Sequence, residues 1–394
     1  MNKIILGATI ILGLGLSTAK AQNKSIVKSK NNLKMEHRHI QVIGNKFKAD
    51  FGEFAFELNF ESETQLTWRA FNNSQLGAIE TVKIQKTEIR PNVYMVTWKE
   101  KSGTTVTHLE DFEKQTVYTN ITTPDHNFIN LKGKLTQINN TNMDNKLKVV
   151  ELLKSIETGA SEPVAYINPN KYIQHNLAVG EGLAGFGAVL QALPKGSAKA
   201  STVRAFQDGD FVFAHTEYNF FGPKIGFDIF RFEDGKIVEH WDNLQEIAKP
   251  NPSGHTMIDG TAEIKDLDKT EANKKIVSSF VNDILVNGKM EKLQGYYDGN
   301  NYIQHNPQIG DGLSGLGKAL GEWAKQGITM KYDTVHKVLG EGNFVLVASE
   351  GQLGGKHCSF YDLFRVENGK IAEHWDTIEE IPAKESWKNN NGKF

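Results

Sequence analysis

Short runs of alternating apolar and polar residues fill positions 39–138, among them Phe54-Ala55-Phe56-Glu57-Leu58-Asn59-Phe60, Val93-Tyr94-Met95-Val96-Thr97-Trp98 and Val117-Tyr118-Thr119-Asn120-Ile121. Successive side chains of a strand point to opposite faces, so this period of two predicts half-buried β-structure. Asn72-Asn73-Ser74, Arg90-Pro91-Asn92 and Ser102-Gly103 supply the intervening turns, and the spacing predicts an antiparallel sandwich or small barrel.

Beyond an Asn/Thr/Asp-rich linker near positions 139–145 the period changes. Leu147, Val150, Leu153 and Ile156 fall on one helical face, and Ile276, Phe280, Val281, Ile284 and Leu285 do the same further on. Each predicted helix is followed by an identical pentapeptide, Tyr172-Ile173-Gln174-His175-Asn176 and Tyr302-Ile303-Gln304-His305-Asn306. Each pentapeptide precedes a Gly-rich helix start and then a β-rich stretch ending in Glu239-His240-Trp241-Asp242 or Glu373-His374-Trp375-Asp376. The chain therefore carries one α+β unit twice, at 144–248 and 269–382. Pro250-Asn251-Pro252-Ser253-Gly254 marks a linker over 249–268, and 383–394 reads as a tail.

Composition changes the picture in two places. A net charge of −2 over 394 residues gives no concentrated basic face for nucleic acid or an anionic membrane. Lys3, the apolar run Ile4 to Leu16 and Ala19-Lys20-Ala21 have the three regions of a secretory signal over 1–21, with a solvated arm over 22–38. The expectation is a secreted or periplasmic protein cut after Ala21, with no membrane contact once the signal is gone. Cys358 is the lone cysteine, so no internal disulfide supports the cores.

The run Tyr94-Met95-Val96-Thr97-Trp98-Lys99-Glu100, with Asp111-Phe112 and Gly133, resembles the MoaF-like, lipocalin-type domain, which implies a barrel similar to small-ligand carriers. The paired blocks, each a Tyr-Ile-Gln-His-Asn, an Asp-Ile-Phe-Arg or Asp-Leu-Phe-Arg, and a Gly-Lys-Ile followed by Glu-His-Trp-Asp, resemble the SnoaL-like polyketide cyclase branch of the nuclear transport factor 2-like superfamily. That resemblance implies two cone-shaped α+β domains behind the barrel. Cones of this superfamily commonly pair through their sheets, so an intrachain pseudo-dimer is expected. The fold hosts isomerases, cyclases, hydrolases, dehydratases and plain binders, so it does not select a chemistry.

Strand alternation puts Asp228, Phe230 and Phe232 on one face and Phe227, Ile229 and Arg231 on the other. Asp228 is expected to look into the cone, where apolar neighbours raise a carboxyl pKa toward a usable acid or base. His215 on the neighbouring strand is expected to share that face, with His175 or Asn176 approaching from the helical side. In SnoaL-like cyclases an aspartate beside a histidine moves the proton of an aldol closure, and the resemblance implies that role for Asp228 with His215. His240 and Asp242 share a face and form a second candidate pair. Tyr172, Gln174, Asn176 and Trp241, with His305, Asp362, His374 and Asp376 of the second copy, complete the expected ligand-binding set. His215 is replaced by Ala348 in the second copy, which predicts chemistry in the first unit and ligand binding or packing in the second.

Other chemistries find less in the sequence. The Gly-rich helix starts resemble a dinucleotide loop only in spacing, since no βαβ strand precedes them and no Lys-Ser or Lys-Thr follows. They predict close helix packing, with Leu183, Phe186 and Leu190 buried. Neither His175 nor His240 of a candidate facial triad with Asp242 belongs to a His-x-His or His-x-x-x-His pair, so neither metal nor cofactor is expected. There is no Gly-x-Ser-x-Gly elbow, and Cys358 has no reactive-site signature. The leading expectation is cofactor-independent proton transfer on a small apolar carbonyl compound. A non-catalytic carrier of small apolar ligands fits the same pattern, as does an interaction module whose Trp241 and Trp375 fill core space.

Overall fold

The computed structural model describes residues 40–394 apart from 53, 72–77, 139–143 and 194–195. The expected signal, the arm and the Asn72-Asn73-Ser74 turn lie outside the described residues. Eight antiparallel strands, β1 (Lys46–Asp50), β2 (Ala55–Ser62), β3 (Gln65–Ala70), β4 (Ile79–Arg90), β5 (Val93–Lys99), β6 (Thr105–Asp111), β7 (Thr116–Thr122) and β8 (Phe128–Ile138), close on themselves when β1 pairs with β8. Closure leaves no sheet edge. Phe47, Phe60, Tyr94 and Phe112 meet edge to face inside, within a cluster that includes Leu58, Leu66 and Val96. No helix among the described residues is long and apolar enough to cross a membrane.

The first repeat consists of α1 (Asn145–Thr158), β9 (Ile173–Gln174), α2 (Gly182–Ala192), β10 (Lys199–Asp208), β11 (Phe211–Asn219), β12 (Pro223–Glu233) and β13 (Lys236–Glu246). Asp144 caps α1 by accepting from the Lys146 N–H, and Gly159 ends it in the left-handed region. Asp234 and Gly235, both at positive φ, make the two-residue turn between β12 and β13. The sheet order is β10-β11-β12-β13-β9, with the two-residue β9 parallel to β13.

The second repeat has α3 (Thr270–Phe280), α4 (Leu293–Tyr296), β14 (Ile303–Gln304), α5 (Gly312–Lys325), β15 (Met330–Glu341), β16 (Phe344–Leu353), β17 (Lys356–Glu367) and β18 (Lys370–Glu380), in the equivalent sheet order β14-β18-β17-β16-β15. Its opening helix loosens into a π-helical turn over Val281–Val286. The Gly-rich starts serve close packing: a Cβ at Gly185 would lie 1.8 Å from the Gly180 carbonyl oxygen, and one at Gly315 would lie 2.2 Å from that of Gly310. Leu183, Phe186 and Leu190 are half-buried rather than buried.

The two sheets lie face to face. Phe213, Phe227, Ile229 and Trp241 of the first meet Leu346, Tyr361, Leu363 and Trp375 of the second in one buried cluster. Full burial of each large apolar side chain contributes roughly 1.5–3 kcal/mol, against about 0.5–1.5 kcal/mol net for a hydrogen bond, so the apolar contact dominates the interface. Polar contacts fix its register reciprocally. Asp208 accepts from the Gly340 N–H at 3.0 Å and pairs with Lys274, while Glu341 accepts from the Gln207 N–H at 2.7 Å and pairs with Lys146. Two connecting segments cross over as well. Asn251 of the linker donates to the Gln304 and Ile309 carbonyls, and Asn389 of the tail donates to the Asn176 and Val179 carbonyls.

Candidate active site

Each repeat encloses an apolar cavity between its helices and the face of its sheet turned away from the other sheet. The first, about 260 Å³, is lined by Leu153, Ile156, Phe186, Val189 and Phe230 among others, and the second, about 490 Å³, by Ile284, Leu316, Leu320, Trp323 and Phe364 among others. Three residues of the π-helical turn, Ile284, Leu285 and Val286, face the larger cavity.

A buried polar cluster forms the floor of each. Asp228 and Asp242 stand directly opposite on β12 and β13, as do Asp362 and Asp376 on β17 and β18. Like charges at facing positions of adjacent strands repel, so two buried carboxylates need a compensating proton or cation. His240 and His374 provide it. Gln174 Oε1 accepts the Asn176 N–H, and Gln304 Oε1 accepts those of His305 and Asn306, which fixes each amide oxygen as the atom facing histidine. The Nδ1 atoms of His240 and His374, at 3.1 and 3.0 Å from these oxygens, must therefore donate. Their Nε2 atoms then meet Oδ1 of Asp228 at 3.2 Å and of Asp362 at 3.0 Å, so a proton bridges each pair.

The other carboxylate is left open. Asn176 Nδ2 donates to Asp242 Oδ2 at 2.6 Å, and Asn306 Nδ2 donates to Asp376 Oδ2 at 2.7 Å. Oδ1 of each is buried without a hydrogen-bond partner among the described residues; in the first cavity the Lys393 ammonium stands 4.0 Å away. Burial pushes the Asp376 carboxyl up to about 6, helped by the Asp362 charge and opposed by His374. Burial also works to lower the His374 pKa, but the hydrogen bond to Asp362 and the charges of Asp376 and Asp362 prevail, and the net direction is up. Tyr218 donates to Asp228 at 2.8 Å, and Tyr332 to Asp362 at 3.1 Å. Burial and the adjacent aspartates push both phenols well above their ordinary range, so they remain donors.

Of the residues expected from the sequence, Tyr172, Gln174, Asn176, Asp228, His240 and Asp242 line the first cavity, and Asp362, His374 and Asp376 line the second. Four others lie elsewhere. His215 pairs across strands with Phe227, while Ala214 faces Asp228, so the register turns His215 toward the intersheet core. There it contacts Arg204 at 3.2 Å and packs on Phe227. His175 alternates with Gln174 and Asn176 and so points outward: it stacks on Trp241, and its ring nitrogens meet Glu239 and the Gly392 carbonyl, each at 2.9 Å. His305 repeats this arrangement on Trp375 and Glu373. Trp241 belongs to the intersheet cluster and not to a ligand surface. The change from His215 to Ala348 therefore alters the interface and not a cavity, and gives no ground for confining chemistry to the first repeat.

Tyr218 and Tyr332 were not legible as site residues, because only the strand register reveals their face. Each Asp-His-Asp set offers three ligand atoms within 4.8 Å, the spacing a divalent cation needs. His175, the third member of the triad considered from sequence, faces away from the first of these sets.

Residues 43–136 match the MoaF-like family. No curated relative matches the chain. Among solved structures it is similar to a candidate ketosteroid isomerase from Kribbella flavida (14% identity, 29% of this chain and 83% of that one, TM-score 0.25). It is also similar to IdmH, a candidate polyketide cyclase from Streptomyces antibioticus (18%, 26% and 93%, TM-score 0.24). A third is an LEH-like epoxide hydrolase from M. tuberculosis (20%, 28% and 85%, TM-score 0.22). The chain thus joins a closed barrel that matches the MoaF-like family over residues 43–136 to two five-stranded mixed sheets.

Proposed function

We propose that the two repeats are SnoaL-like cones, paired through their sheets as a covalent counterpart of a dimer, and that both catalyse proton transfer on small apolar carbonyl compounds. The observation that carries this reading is the buried Oδ1 of Asp242 and of Asp376, each without a hydrogen-bond partner among the described residues and beside a proton held between histidine and aspartate at the floor of an apolar cavity. The ionised open carboxylate takes a proton from the carbon next to the carbonyl. The proton shared by His240 and Asp228, or by His374 and Asp362, neutralises the developing enolate oxygen. Return of a proton to another carbon gives isomerisation, and attack of the enolate on a second carbonyl gives aldol closure. Tyr218 and Tyr332 orient their aspartates by donating to them, and Gln174 and Gln304 hold the histidine tautomer. The N-terminal pattern supports export, which N-terminal sequencing of the mature chain tests.

The test is deuterium exchange of a small enolisable ketone in D₂O, followed by NMR. Exchange by the mature chain that disappears in the Asp242→Asn/Asp376→Asn double variant is expected. Tight ketone binding with no exchange above buffer would instead make the protein a carrier.

A further inference from the structure

The linker that crosses the second repeat brings further chemistry to His305, outside the cavity. His305 Nδ1 lies 2.8 Å from Asp259 Oδ1 and 2.9 Å from the Thr256 carbonyl oxygen. His255 turns Nδ1 toward the same point, 3.9 Å from Asp259 Oδ2. One ligand-type atom from each of His255, Asp259 and His305 lies within 4.8 Å of the others.

Both histidines are oriented from behind by carboxylates. His305 Nε2 meets Glu373 Oε1 at 2.9 Å, and His255 Nε2 meets Asp311 Oδ2 at 3.1 Å. A carboxylate on the outer nitrogen is the usual support of a metal-bound imidazole, and a cation would take the place of the proton that His305 Nδ1 shares with the Thr256 carbonyl and Asp259. The linker is also shaped to reach this place. Gly260 sits at φ +89°, and a Cβ there would lie 2.2 Å from Glu373 Oε1, so only glycine lets the backbone pass.

The first repeat serves as an internal control. His175 holds the same position on Trp241 and Glu239, yet its Nδ1 meets only the Gly392 carbonyl, and the segment 389–394 contains neither histidine nor acid. One backbone carbonyl therefore suffices for the shared fold, and His255 and Asp259 are additions beyond it.

We propose that His255, Asp259 and His305, with the Thr256 carbonyl as fourth donor, bind one divalent cation of the zinc class and clasp the linker to the second repeat. Two imidazoles with two oxygens suit Zn²⁺ or Co²⁺ rather than the all-oxygen shells of Mg²⁺ and Ca²⁺. His305 is buried while His255 and Asp259 are partly open, so the cation enters from solvent.

Calorimetric titration of the chelator-treated full chain with Zn²⁺ tests this, with Co²⁺ absorption reporting coordination. The expected result is one ion per chain and a raised Tm, with affinity lowered at least about tenfold in both His255→Ala and Asp259→Ala, the loss that even an outer partner's removal brings. Asp376→Asn is expected to leave Zn²⁺ affinity unchanged. Both linker variants alter partly exposed side chains, and their metal-free Tm checks folding. Absence of Zn²⁺ binding overturns the proposal. So does binding that survives His255→Ala but is lost in Asp242→Asn or Asp376→Asn, which would put the ion in a cavity.

Discussion

Tyr218 and Tyr332 reach equivalent aspartates from opposite members of the same cross-strand pair. Tyr218 on β11 faces Ala200 on β10, whereas Tyr332 on β15 faces Gly351 on β16. The hydroxyl stays on the carboxylate although its strand of origin differs. Loss of this donor from a buried carboxylate costs about 1–3 kcal/mol. Tyr218→Phe should lower the urea midpoint accordingly and slow ketone exchange in the first cavity. The exchanged pair Ala200→Tyr/Tyr218→Gly should regain part of both losses relative to Tyr218→Gly. If it regains neither, the hydroxyl is not what the two sites share.

The two cavities should divide substrates by size. Asp376→Asn should remove exchange of the bulkier ketones that fit about 490 Å³, and Asp242→Asn should spare them. The smallest ketones should lose only part of their exchange in either single variant. Complete loss in one single variant, with none in the other, would return the chemistry to one repeat.

Asp376 titrates near 6 and must be ionised to accept a proton, so exchange of bulky ketones should rise with pH through that value. Stability runs the opposite way. The folded pKa lies above the ordinary 3.8, so the contribution of Asp376 is fully present below 3.8 and is lost as pH rises through about 6. A shift of that size corresponds to about 3 kcal/mol. Unfolding free energies at pH 4 and pH 7 should show Asp376→Asn gaining on the parent chain as pH rises. A constant gap would mean that the carboxyl is not perturbed.

His215→Ala should leave exchange per folded molecule unchanged, because the residue lies in the intersheet core and the second sheet already has Ala348 at that place. It should lower stability by about 1–3 kcal/mol through the lost contact with Arg204 and the cavity left beside Phe227. Loss of turnover with an unaltered Tm would reinstate His215 as a catalytic residue.

The sequence made the duplication legible, and alternation along β12 placed Asp228, Phe230 and Arg231 on their faces. Register between strands was not legible: the face of Asp228 does not reveal that Ala214, and not His215, stands beside it. Alternation within Gln174-His175-Asn176 held the answer for His175, whose ring had to point away from its neighbours. The roles of Asn251, Asn389 and Asn391 were hidden for another reason. Asn- and Gly-rich segments have the composition of solvated linkers, and only their distant partners show them to be packed.

Those crossing asparagines bear on how the chain can be divided. The segment following the first β-sheet holds the Gln-His-Asn loop of the second, and the final residues return to hold that of the first. A cut anywhere in 249–268 deprives at least one half of its clasp and uncovers the aromatic layer between the sheets, so a halved gene should yield partners that assemble only with each other.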